Sequence, residues 1–232
     1  MNIAICFYGQ PRFYKQVLPI WQEIVNELNT DIFIHTWFGQ DRAKGITDLN
    51  QLVDDFNPKE ILVSTPHKFM DIIPSDSKFA TQSYHGMQQA FSITNSIKLL
   101  NDYEKNFNKQ YDIVIRCRMD IQIKYIKEFI NFINNNINTN KIFVCSNHWK
   151  NGEMFDDNIM VSNSNLLKSL FINYFEYTID IINKTKIIPG GEQNIHRYIT
   201  QTGNIDKITK VKELDFELLY IPAETLILNQ NV

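Results

Sequence analysis

The chain has 232 residues, 44% of them hydrophobic and 12% aromatic, and its 23 Lys and Arg against 26 Asp and Glu leave a net charge of −3. That length and apolar content suit one domain with an ample core. The acidic balance excludes general nucleic-acid binding, which needs a basic footprint, and no polybasic run or apolar stretch of roughly 18 residues speaks for strong membrane adhesion or a span. The three cysteines, Cys6, Cys117 and Cys145, show no CxxC or Cys/His spacing. They read as reduced core thiols of a cytoplasmic protein.

The N-terminus opens into a strand over residues 2–8, without the basic and apolar regions of a signal peptide. It breaks at Gly9-Gln10-Pro11-Arg12. Gly9 allows close approach of a ligand, Pro11 stiffens the turn, and Arg12 is placed to meet a phosphate. An ordinary strand-to-helix turn is the competing reading, since the run is not GxGxxG. Val17, Leu18, Trp21, Ile24, Val25 and Leu28 follow helical spacing and predict a helix over about 15–28, with Pro19 tolerated only near its first turn. Residues 31–37 form a second strand, with His35 either touching a ligand or bonded in the core. A short helix around 49–56 lies in a polar stretch, a third strand follows at 60–64, and residues 65–81 are a long irregular segment of the functional or mobile kind. The helix over about 82–105 turns Met87, Ala90, Phe91, Ile97 and Leu100 inward. Its polar start holds Gln82, Ser83, Tyr84, His85 and Gln88, where free N–H groups favour an anion or are simply capped.

The most informative stretch is Tyr111-Asp-Ile-Val-Ile-Arg-Cys-Arg-Met-Asp120. Ile113, Val114 and Ile115 are a β-branched apolar run suited to a buried strand of a parallel sheet. Arg116, Arg118 and Asp120 follow at alternate positions, so an uninterrupted strand would turn all three the same way. Charges at the end of a buried strand need water, a ligand or each other, and strand carboxyl ends are where open α/β sheets bind ligands. The stretch is therefore read as the lip of an active site, with an internal Arg–Asp ion pair as the competing reading.

Beyond it, a helix over about 126–137 ends in an Asn-rich turn, and Lys141–Cys145 is a strand followed by a polar aromatic loop at 147–152. Phe155-Asp-Asp-Asn158 leads into another strand. Leu166, Leu167, Leu170, Phe171, Tyr174, Ile181 and Ile182 predict one long helix. Gly190-Gly191 breaks the chain before Glu192 and Gln193 open a helix, and a last strand is expected at Leu218–Pro222. Strand–helix–strand alternation predicts an α/β fold with a mainly parallel central sheet flanked by helices.

With these motifs in order, the sequence resembles small GT-A-type glycosyltransferases of surface-polysaccharide and lipopolysaccharide synthesis over about residues 2–200. Ile3 to Arg12 looks like the nucleotide-binding first strand and loop of that group. Tyr111 to Asp120 looks like its YDxVIRxRxD strand, and Phe155–Asn158 and Gly191–Asn194 look like its sugar-contacting segments. The resemblance implies a GT-A-like, Rossmann-like sheet, with a nucleotide-binding half of about 1–120 and an acceptor and sugar half of about 121–232. It implies transfer of a sugar from a nucleotide-sugar donor to a hydroxyl of a glycan or glycolipid acceptor, at the inner face of a membrane if the acceptor draws the protein there. It places Asp120 at the last carboxylate of an Asp-any-Asp motif that holds Mn2+ or Mg2+, with Arg118 standing at the first. Either Asp120 holds the metal with the help of phosphates and waters, or Arg116 and Arg118 replace part of its charge. Gly9, Gln10, Arg12, Gln88, Arg116, Arg118, Asn158 and Gln193 are then donor-binding candidates. Glu192 is favoured as base and Asp157 as a sugar-hydroxyl ligand, with His196 a weaker metal or acceptor contact. Two other readings of the same residues are a nucleotidyltransferase and a nucleotide- or sugar-binding module without turnover.

Overall fold

A computed structural model describes residues 1–37, 48–65, 72, 77–79, 85–136, 139–146, 156–188 and 190–218. The first half runs β1 (Ile3–Gly9), α1 (Tyr14–Leu28), β2 (Asp31–Trp37), α2 (Leu49–Phe56), β3 (Glu60–Ser64), β4 (Lys78–Phe79), α3 (His85–Phe107), β5 (Ile113–Arg118) and β6 (Ile121–Ile123). Then come α4 (Ile126–Asn135), β7 (Ile142–Cys145), β8 (Ile159–Ser162), α5 (Ser164–Phe171), α6 (Tyr174–Thr185), β9 (Ile187–Ile188), α7 (Gly191–Gln201), β10 (Ile208–Val211) and β11 (Phe216–Leu218).

Seven of these strands form one sheet in the order β10-β7-β8-β5-β1-β2-β3. Its β1–β2, β1–β5, β2–β3 and β7–β10 pairs are parallel, and β8 runs antiparallel between β5 and β7. The fold is therefore α/β with a mainly parallel central sheet flanked by helices, and strands from both halves of the chain share that sheet.

Alternation along β1 and β5 builds both faces. Ile3, Ile5 and Phe7, with Ile113, Ile115 and Cys117, pack with Trp21, Ile24, Phe56 and Phe129 of α1, α2 and α4. Ala4, Cys6 and Tyr8, with Val114, meet Ala90, Ile93, Leu167, Phe171 and Ile195 of α3, α5 and α7. Trp21 shows how α1 is fixed: it is fully buried, its ring meets Phe7 edge-on at 5.0 Å, and its Nε1 donates to the Ile121 carbonyl at 3.1 Å. The three cysteines are buried and none is in a disulfide.

Four expectations are corrected. Pro19 lies at the sixth position of α1 rather than in its first turn, on an exposed face where the carbonyl it leaves unpaired can meet water. The long periodic helix is two, α5 and α6, broken at Ile172 and Asn173. Asn173 has a non-helical φ of −116°, and the Thr94 hydroxyl takes the freed Phe175 N–H at 2.9 Å. Strand β5 ends at Arg118, so Asp120 lies in the turn before β6 rather than on the strand. The last strand, β11, begins at Phe216 rather than Leu218. Residues 81–84, 147–155 and 219–222, on which other expectations fell, lie outside the described residues. Among the described residues no helix is long and apolar enough to cross a membrane.

Candidate active site

The sheet topology brings a cavity of about 410 Å3 to one end of the central strands. Parallel β1, β2 and β5 deliver their carboxyl ends there: Tyr8 and Gly9, Trp37, and Arg118 with the following Asp120. Because β8 runs the other way, its amino end arrives at the same place and supplies Asp157 and Asn158. The start of α3 adds Gln88 and Gln89, and the start of α7 adds Gly190, Gly191 and Glu192. Gln10 and Arg12 complete the wall, with Arg12 Nε donating to the Gln10 side chain. The size is that of a small-molecule site.

Nine of the residues singled out in the sequence line this cavity: Gly9, Gln10, Arg12, Gln88, Arg118, Asp120, Asp157, Asn158 and Glu192. Arg116 does not. It is fully buried behind the wall, its guanidinium 4.9 Å from the Tyr8 ring centre and 5.1 Å from that of Phe171. Nη2 donates to the Asp157 carbonyl at 2.6 Å, while Nε and Nη1 have no hydrogen-bond partner among the described residues. Gln193 is exposed on α7, and neither it nor His196 lines the cavity; the next residue, Asn194, turns inward to Tyr174 and Thr178. His35 is a bonded core histidine: Nδ1 lies 2.7 Å from Ser92 Oγ and Nε2 3.1 Å from Ser64 Oγ. Burial lowers it to about 3, so it is neutral at any physiological pH. Tyr8 and Gln89 were not singled out, for nothing in the periodicity of their strand and helix separates them from core and surface neighbours.

Hydrogen bonds set the geometry. The Gly9 N–H donates to Ser92 Oγ at 2.8 Å, holding the turn that φ of +96° at Gly9 permits. Arg118 grips Asp120 through two parallel bonds, Nε to Oδ1 at 2.8 Å and Nη2 to Oδ2 at 2.5 Å, and reaches Asn158 Oδ1 at 3.3 Å. Asp156 Oδ1 accepts from the Asn158 backbone and side-chain nitrogens at 2.7 and 2.8 Å. The Asp157 carbonyl accepts from Tyr8 Oη at 2.9 Å as well as from Arg116, and its Oδ2 accepts from Gln89 Nε2 at 2.7 Å.

Two acids of the cavity, Asp157 and Glu192, are tuned upward. Burial pushes Asp157 up to about 6, Asp156 adds to this, and Arg116 and Arg118 oppose it. Burial also pushes Glu192 up to about 7, with Asp157 and Asp156 adding repulsion. Carboxyls that titrate near neutrality can exchange a proton with a substrate.

The carboxylate to which the resemblance assigns a metal is already engaged. Both Asp120 oxygens accept from Arg118, and among the described residues no group of three or more His, Cys, Asp or Glu could hold an ion.

No protein-family model matches the chain, and no curated protein matches its sequence. Among solved structures, a glycosyltransferase involved in glycosylation of the PBCV-1 major capsid superposes with a TM-score of 0.48 at 7% identity, over 91% of this chain and 81% of that one. An active-site mutant of LgtC gives 0.48 at 13%, over 91% and 72%, and mouse xyloside xylosyltransferase 1 gives 0.41 at 7%, over 90% and 84%. These likenesses are too loose to carry a function, which rests on the cavity itself.

Proposed function

We propose that the cavity transfers a sugar from a nucleotide-sugar donor to a hydroxyl of a glycan or glycolipid acceptor. One observation carries the reading: two arginines, Arg12 and Arg118, share a cavity with two raised carboxyls, Asp157 and Glu192, and with the amides of Gln88 and Asn158. Arginine guanidinium groups match phosphate oxygens, amides match sugar hydroxyls and bases, and a carboxylate that ionises near pH 7 suits proton removal.

In the step proposed, the acceptor oxygen bonds to the anomeric carbon. The bond from that carbon to the diphosphate breaks and its electron pair leaves with the diphosphate. The hydroxyl proton goes to Glu192, which is half-buried at the cavity and exchanges with solvent more readily than Asp157, only 1% exposed. Asp157 holds a sugar hydroxyl. Arg12 and Arg118 neutralise the departing diphosphate, for which Arg118 shares itself between Asp120 and the phosphate or leaves Asp120 for it. Arg116 acts from behind by holding the Asp157 backbone.

The test is to incubate the protein with UDP-, GDP-, CMP- and dTDP-sugars and quantify free nucleotide, with manganese and with chelator. Release by wild type and its loss in Glu192→Gln support transfer. Release that persists in chelator assigns charge neutralisation to the arginines, and release only with metal returns Asp120 to the role the resemblance gives it. Binding without release from any donor contradicts the reading in favour of a binding module.

A further inference from the structure

We infer that Gln89 is a positioning residue that fixes the Asp157 carboxylate in the cavity, and that residue 191 is glycine because the Gln89 head group occupies the space of its Cβ. Three separate elements meet at this amide. Gln89 sits in α3, Asp157 just before β8, and Gly191 is the first residue of α7. Nε2 of Gln89 donates to Asp157 Oδ2 at 2.7 Å. On its other side, a Cβ at residue 191 would overlap Gln89 Oε1 and stand 2.9 Å from Cδ. The φ of Gly191 is not positive, so its backbone does not itself demand glycine. What a side chain there would have to displace is the amide.

The rest of Asp157 is already held. Its carbonyl accepts from Tyr8 and Arg116, and its neighbour Asp156 is tied to Asn158. The carboxylate is the part that still has to be aimed. It is 1% exposed, faces the charges of Asp156, Arg116, Arg118 and Glu192, and lies near the Tyr8 and Tyr174 hydroxyls. A neutral amide donor steadies it there without adding charge to a crowded site. Glutamate at 89 would set a carboxyl against Asp157, and alanine at 191 would push the amide off it. The two positions therefore act through one bond.

The effect on turnover rests on the transferase reading of the cavity; the bond itself does not. The experiment has two readouts for that reason. Asp157 is titrated by carbon NMR of 13C-labelled aspartate carboxyls in wild type, Gln89→Leu, Gly191→Ala and the double variant, and kcat and KM for the donor are measured in parallel. Loss of a hydrogen bond to the charged form raises the Asp157 midpoint by about one pH unit in each single variant. The double variant moves it no further, because both changes break the same contact. If the cavity is a transferase site, kcat falls about tenfold with donor KM changed less than about twofold. A midpoint in Gly191→Ala equal to wild type, or additive shifts in the double variant, overturns the inference even if turnover is present. Shifts as expected in a protein that transfers no sugar uphold the positioning and remove the transferase reading instead.

Discussion

At the scale of single residues, the Arg118–Asp120 pair decides how charge is handled in the cavity. The side chain of Asp120 is 3% exposed and that of Arg118 31%, so the carboxylate is the buried partner and the guanidinium has the open side. An arginine so placed can turn its remaining N–H groups to a ligand without abandoning its anion. Replacing Arg118 by Ala takes from a buried carboxylate its arginine and removes the phosphate partner proposed above. We expect nucleoside-diphosphate affinity to fall by about 2 kcal/mol, measured by calorimetry. Arg118→Lys restores little of it, because an ammonium cannot reproduce the two parallel bonds. Glu192 makes the complementary prediction. With its carboxyl pushed up to about 7, kcat/KM rises with pH through that value as the base loses its proton. Glu192→Gln lowers kcat by about 100-fold or more and abolishes the rise; an unchanged pH profile in this variant would move the base elsewhere.

At the scale of elements, the site depends on how the strand ends are pinned. The turn after β1 is anchored by Ser92 of α3, whose hydroxyl takes the Gly9 N–H and also meets His35 of β2. Ser92→Ala strips a buried partner from both. Unfolding stability is expected to drop by about 1–3 kcal/mol, read from urea denaturation, with nucleotide affinity falling as the Gly9 turn loosens. Gly9→Ala is expected to cost about 1–2 kcal/mol, since its φ of +96° is strained for any residue with a Cβ. The strands that build this end were legible in the sequence because they are dense apolar runs: Ile3 to Phe7, Asp31 to Trp37 and Ile113 to Ile115. Strand β10 was not. Its Thr209 and Lys210 lie at a sheet edge, where one side faces water and the hydrophobic signal thins out. The reversed direction of β8 was equally hidden, because Ile159-Met-Val161 reads the same in either orientation. The reversal still matters: it carries Asp157 and Asn158 to the carboxyl ends of β1 and β5.

At the scale of the whole molecule, the raised acids link function to stability. Asp157 and Glu192 in the folded chain keep protons that the unfolded chain has already released above about pH 4. The folded state therefore binds more protons between about pH 4 and about 7, and stability falls as pH rises across that window, by an amount on the order of 2 kcal/mol from the buried Asp157. Asp31 works in the opposite sense at lower pH: burial tends to raise it, but Lys109 and Tyr111 hold it below the ordinary range, so its contribution is lost as pH falls below about 4. A melting temperature highest near pH 4–5, with the decline toward pH 7 flattened in Asp157→Asn/Glu192→Gln, is the expected outcome.

The candidate site was legible in the sequence to the extent that sheet geometry places it. Gly9 and Arg118 end strands whose carboxyl ends converge, Asp120 follows one of them, and Asp157 and Glu192 precede a strand and open a helix. Arg116 and Gln193 fell outside for different reasons. Arg116 shares the face of Arg118 but lies two residues further from the carboxyl end of β5, where the Tyr8 and Phe171 rings cover it, and the turn of α7 sends Gln193 to solvent while Asn194 goes in. Gln89 could not be found at all, since its role exists only where three distant segments meet.

The central claim is that this cavity holds a nucleotide-sugar donor through its arginines. The most direct test is thermal unfolding of wild type and Arg118→Ala with UDP, GDP, CMP and dTDP, each with manganese and with chelator. One nucleotide at about a hundredfold excess over its Kd is expected to raise the wild-type melting temperature by about 5 °C or more, and the rise should collapse in Arg118→Ala. No rise with any nucleotide, or a rise that Arg118→Ala leaves intact, would contradict the account.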